Sequence, residues 1–143
     1  MNIYGNGIDI VEIARIKSLI TKNNKIKERI FTKNEIKSCE KLKNKFACYA
    51  KRFAAKEAFA KALGTGISKG LSFNEIEINN NYNGKPFLEL KKKSYRIVKM
   101  IIKKKFKVYL SLSDEKNYAV ASVIIVKWEN RIKKLLLKIL KPL

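Results

Sequence analysis

The sequence predicts an α+β domain, and three observations carry the prediction. Apolar residues recur at helical spacing through most of the first half; the second half switches to two-residue alternation broken by turn signals; and one basic helix interrupts the alternating segments. A length of 143 residues suits one domain, and 46% hydrophobic residues supply a core despite a formal net charge of +21.

Residues 3–10 read as a strand containing Gly5 and Gly7, and residues 11–21 then place Ile13, Ile16, Leu19 and Ile20 on one helical face. Thr32 followed by Glu35 is a capping-box pattern, opening a second helix over 33–42. A third helix over 44–63 stops at Gly64, the residue type favoured just past a helix end. Residues 75–78 alternate charged and apolar, Asn83-Gly84 marks a hairpin turn, and Pro86 opens the return strand. Residues 91–106 form a basic helix with Ile97, Val98, Ile101 and Ile102 inward, followed by an alternating strand over 107–113. Residues 118–127 are apolar on both faces, the mark of a central, buried strand. The result is a three-helix N-terminal half packed on a mostly antiparallel sheet.

Composition removes whole mechanisms. With no His there is no Ser-His-Asp triad, no Cys-His pair and no His-ligated zinc, so a general base must be a carboxylate, Lys, Tyr, Cys or metal-bound water. Cys39 and Cys48 match neither a CxxC metal pair nor a disulfide framework, and reduced thiols in a cytoplasmic protein are expected. No leader-like start is seen, and the longest apolar stretch, 118–126, is too short to span a bilayer. The positive charge favours acidic partners, but it is mostly Lys and spread along the chain, whereas base readout and bidentate phosphate recognition favour Arg; no specific nucleic-acid partner is expected. No Walker loop, GxSxG or RNA-recognition signature is present. A basic RNA- or membrane-surface-binding module without catalysis is the competing reading.

Two acids stand out of place. On the third helix, Glu57 falls among Phe46, Ala50, Phe53 and Ala54, while Arg52 and Lys56 form a basic edge. Glu57 either makes an ordinary i,i+4 pair with Lys61 at the helix rim or belongs to a site. Asp9 interrupts the apolar run Ile8-Ile10-Val11, and with Glu12 it also reads as a helix N-cap signature. Two carboxylates brought together would suit Mg²⁺, which takes one or two protein carboxylates and completes its shell with water and substrate phosphate. Neighbouring cations would then imply a phosphate-bearing ligand and phosphoryl-group transfer.

Four separated segments carry a family resemblance: residues 7–16 (GIDIVEIARI), 52–67 with RFAAKEA leading into KALGTGI, 83–86 (NGKP), and 110–121 with LSLSD and YAVA. In that order and spacing, over about residues 1–127, the chain resembles bacterial holo-acyl-carrier-protein synthase, the small class of 4'-phosphopantetheinyl transferases. The resemblance implies that fold, and Mg²⁺-dependent transfer of 4'-phosphopantetheine from coenzyme A to a serine of apo-acyl carrier protein in fatty acid biosynthesis, releasing adenosine 3',5'-bisphosphate. It places the metal ligands on Asp9 and Glu57. Glu57 would be the general base, directly or through a water it orients, and Lys61 would neutralise the coenzyme A pyrophosphate. Arg52, Lys56 and the Gly64-Thr65-Gly66 turn would be further contacts to coenzyme A. A homotrimer with active sites between subunits is also implied, with Arg15, Lys22 and Lys25 presented by the first helix to the acidic carrier protein.

Two features depart from the family pattern. Asp114 stands where many members carry His, and it either lies near the metal or begins the hairpin turn. The basic amphipathic tail, residues 128–143, is expected to form an extra C-terminal helix packing back on the domain or its oligomer. Membrane contact is the less favoured alternative for it.

Overall fold

The computed structural model describes residues 1–68 and 70–128. It runs β1 (Asn2–Glu12), α1 (Ile13–Lys22), α2 (Asn24–Ile30), α3 (Lys33–Glu40), α4 (Lys45–Leu63), a 3-10 turn (Phe73–Glu75), β2 (Ile76–Asn80), β3 (Pro86–Leu90), α5 (Lys92–Ile102), β4 (Lys105–Asp114) and β5 (Tyr118–Trp128). The antiparallel main sheet has the order β1-β5-β4, and β2 and β3 form a separate hairpin. The expected α+β class is what the structure shows.

β5 is central as expected, but its second face is only partly covered in the single chain. Ala119, Ala121, Val123 and Ile125 are buried, whereas Ile124 on the opposite face is 38% exposed. On the neighbouring β1, Ile8 and Ile10 are 63% and 64% exposed. The buried side packs on α4, whose many alanines permit close approach. Gly5 and Gly7 bring the β1 backbone directly onto α4, and a Cβ at either would fall on the carbonyl oxygen of Ala62 or Ala58. Backbone atoms cannot rotate out of the way. Gly7→Ala therefore destabilises the fold by about 3 kcal/mol, the upper range for overpacking, read as a drop in the urea midpoint.

The structure departs from the sequence reading in several places. The first half holds four helices rather than three, because Asn23 breaks the chain with φ −155° and its side chain caps α2 by accepting from the Lys25 backbone N–H. Lys25 therefore lies on α2, not on the first helix. α5 stops at Ile102, short of residue 106, because Lys103 takes a left-handed conformation at φ 57°, and Phe106 joins the inward alternation of β4. Cys39 and Cys48, expected as free thiols, are joined in a disulfide; the short connection between α3 and α4 brings their Cα atoms to 5.5 Å. The helix expected over 128–143 lies outside the described residues, except for Trp128, which ends β5.

Candidate active site

Strand alternation puts Gly5, Gly7, Asp9 and Val11 on one face of β1, and the two glycines show that this face meets α4. Asp9 is thereby carried to the turn of α4 that holds Glu57. Lys61, one turn further along, leans back toward the helix N-terminus as helical side chains do. Its Nζ donates to Asp9 Oδ1 at 2.8 Å and to the Ile8 carbonyl at 3.1 Å. The Asp9 side chain is 14% exposed and that of Lys61 53%. Burial pushes the Glu57 carboxyl above its usual range, and the negative charge of Asp9 adds to the rise; Lys61 and Arg15 oppose it. Asp9, Arg15, Glu57 and Lys61 therefore share one electrostatic site.

The surroundings of α4 differ from the sequence expectation. The open stripe of this helix is Phe53, Glu57 and Lys61, while the presumed basic edge of Arg52 and Lys56 is buried. The expectation that Lys56 contacts a phosphate is corrected by its position. Its side chain is fully buried, and Nζ donates to Glu35 Oε2 at 2.7 Å, the Ile30 carbonyl at 2.6 Å and the Phe73 carbonyl at 2.9 Å. Those bonds use every proton an ammonium carries. Glu35 in turn accepts from the Thr32 and Ile78 backbone N–H groups, completing the predicted capping box. The box was legible in the sequence, but the lysine 21 residues away that it receives was not.

Arg52 keeps a different position. It is 8% exposed, donates from Nη1 to Cys48 Sγ at 2.8 Å, and its Nε has no hydrogen-bond partner among the described residues. It lines a cavity of about 350 Å³ together with Lys51, Asn80, Gly84 and Pro86. Asp114 ends β4 and pairs with Lys51 at 2.6 Å, so its carboxylate is engaged at this cavity. Gly64 and Gly66, at φ 80° and 63°, form an open turn immediately past α4, with the Thr65 hydroxyl donating to the Gly66 carbonyl. Arg15 and Lys22 are exposed on α1 and Lys25 on α2.

The donor set at Asp9 and Glu57 fits one hard divalent cation. Among the described residues no group of three or more His, Cys, Asp or Glu converges, so an all-protein cage is absent there. Two oxygen donors, one with its carboxyl raised by burial and by the other's charge, are what Mg²⁺ takes when water and substrate phosphates complete its octahedron. Asp9, Glu57 and Lys61 together could hold a diphosphate, through the cation and the lysine, with Arg15 at the outer edge.

Comparison with known proteins identifies the family. Residues 5–123 match the model of the 4'-phosphopantetheinyl transferase superfamily. The holo-[acyl-carrier-protein] synthase of Pelagibacter ubique is 46% identical over 132 residues, 89% of this chain and 99% of that protein. The holo-(acyl-carrier-protein) synthase of Bacillus anthracis, solved in complex with CoA (3',5'-ADP), has a TM-score of 0.73 at 40% identity, covering 88% of this chain and 98% of the other. The enzyme from Neisseria meningitidis has a TM-score of 0.79 at 38% identity, covering 88% and 100%. With matching sequence over most of the chain and a matching fold, the chain belongs to the 4'-phosphopantetheinyl transferase superfamily and, within it, to the holo-[acyl-carrier-protein] synthases.

Proposed function

We infer that this chain transfers 4'-phosphopantetheine from coenzyme A to a serine hydroxyl of apo-acyl carrier protein, releasing adenosine 3',5'-bisphosphate. The observation that carries the reading is the meeting of Asp9, Glu57 and Lys61 at the crossing of β1 and α4. Asp9 and Glu57 would hold Mg²⁺, which when bound neutralises the diphosphate and polarises the phosphorus under attack. Glu57 receives the serine proton, directly or through a water it orients, as the new serine O–P bond forms. The bond between that phosphorus and the bridging oxygen breaks, and Lys61 donates a hydrogen bond to the departing phosphate. Lys61 would leave Asp9 to do so, and a divalent cation held by Asp9 and Glu57 would supply the positive charge withdrawn from Asp9.

The cavity at Arg52 supports binding of the nucleotide end of coenzyme A, since it joins an unpaired guanidinium N–H to the Asn83-Gly84-Lys85-Pro86 turn. Arg52 and Glu57 lie about 140° apart around α4. A ligand using both is accommodated if the two come from neighbouring subunits, and the exposed Ile8, Ile10 and Ile124 give the sheet an apolar face for such a homotrimer.

The test incubates the chain with apo-acyl carrier protein, coenzyme A and Mg²⁺ and weighs the carrier by mass spectrometry. One phosphopantetheine is gained, and chelator abolishes the gain; an unmodified carrier refutes the reading. Arg15→Glu raises KM for the carrier by roughly tenfold at low salt with KM for coenzyme A unchanged, because rim charges act on encounter with an acidic partner and are screened by salt. An unchanged carrier KM removes Arg15 from the docking surface.

A further inference from the structure

One end of the sheet carries a basic surface away from Asp9, Glu57 and Lys61. Between Glu89 and Asp114 the sequence holds nine Lys or Arg and no acid. The fold gathers several of them where α5 ends, β4 begins and β5 finishes. There Tyr95, Lys99, Lys105, Phe106 and Trp128 line a groove of about 710 Å³. Lys105 and Trp128 are paired across the sheet, and Lys99 lies 5.9 Å above the Tyr95 ring. Tyr95 is 46% exposed, and Met100, 66% exposed, lies on the face of the same helix opposite the buried Val98. Apolar and aromatic side chains set among lysines at the surface suit the boundary between lipid headgroups and acyl chains.

We propose that this end of the molecule docks peripherally on an anionic phospholipid bilayer. Three alternatives fit less well. The chain continues from Trp128 with five Lys or Arg and the single acid Glu129, so seating that segment in the groove by itself would place like charges together, whereas an anionic surface satisfies both. Nucleic acid would use the phosphate contacts but leave Met100 and the Leu135-Leu136-Leu137 run without a role. An acidic carrier protein docked here would be too far from the paired acids. Asp9 pairs with Ala121, and the seven residues from there to Trp128 span roughly 23 Å at about 3.3 Å each. Among the described residues no helix is long and apolar enough to cross a membrane, which leaves surface binding.

Trp128 is the only tryptophan, so its fluorescence reports on this groove alone. The full chain is titrated with vesicles of phosphatidylcholine containing roughly one-third phosphatidylglycerol, and with phosphatidylcholine vesicles as control. The expected result is a blue shift and vesicle co-sedimentation with the anionic lipid only, both reversed by about 0.5 M NaCl. Lys99→Glu combined with Lys105→Glu lowers vesicle affinity at least roughly tenfold, since each basic residue near an anionic surface contributes severalfold. Transfer to soluble carrier protein stays unchanged in that variant. The proposal is overturned if anionic vesicles leave the emission unmoved, if the double variant binds them as well as the parent, or if a single-stranded oligonucleotide binds more tightly than the vesicles. An emission already blue and insensitive to lipid would place the C-terminal segment in the groove and equally overturn it.

Discussion

Glu57→Gln lowers the rate of phosphopantetheine transfer by about 10³-fold, within the range set by removal of a general base, and it also removes half of the candidate metal site. Because Gln is nearly the same size, the fold is retained. In the absence of divalent cations the variant is more stable than the parent at neutral pH, and the sign follows from the raised carboxyl. Burial and the charge of Asp9 lift Glu57 above its ordinary value of 4.5, so the folded state binds this proton more tightly than the unfolded chain does. Ionised Glu57 thus weakens the fold increasingly as pH rises from the unfolded value through the folded one, and its full cost is present above the folded value. Thermal melts with and without Mg²⁺ give the check: Mg²⁺ raises the melting temperature of the parent and does little for Glu57→Gln or Asp9→Asn. A Glu57→Gln enzyme within tenfold of the parent rate would remove this residue from the chemistry.

Lys56→Met costs about 3–5 kcal/mol of stability, the loss that follows when one partner of a buried ion pair is removed. The Lys56 ammonium is held below its usual range by burial, with Glu35 opposing that shift, and both side chains are fully buried. Without Lys56, Glu35 keeps only the Thr32 and Ile78 N–H donors, the Ile30 carbonyl loses the ammonium, and the Phe73 carbonyl keeps only the Ile76 N–H. Urea unfolding measures the loss, and replacing both partners, Lys56→Met with Glu35→Leu, recovers part of it by removing the stranded charge. At temperatures where Lys56→Met is folded, KM for coenzyme A is unchanged. A stable variant with a raised KM for coenzyme A would instead return Lys56 to the phosphate-binding set.

These two residues show how far sequence reading extends along one helix. Lys56 and Glu57 are adjacent and both charged, and the sequence reading gave both to the ligand. A helical wheel ranks positions against an assumed single interior, but α4 is enclosed by β1, β5 and α3 on nearly all sides, so its one open stripe was not visible from its own residues. The glycines told more than was read from them: Gly5 and Gly7 lie in phase with Asp9, and that phase records which face of β1 meets α4. The cysteine pair failed for a related reason. Composition suggested free thiols, while the α3–α4 connection set the distance between them.

Local signals were sufficient for most features whose partners lie within a few residues, the Asn23 cap of α2 being an exception. The capping box at Thr32 and Glu35, the left-handed Gly64 closing α4, and the Asn83-Gly84 hairpin were all legible from the sequence, as were the alternating strands. So were the two misplaced acids, because an ionisable group in an apolar run needs a partner wherever it ends up. The partners themselves came only with the tertiary structure: Asp9 with Lys61 across 52 residues, Glu35 with Lys56 across 21, Asp114 with Lys51. Contacts of that span depend on how closely elements approach and which faces they turn to one another. Those are set by the summed packing of the chain, and no single segment encodes them.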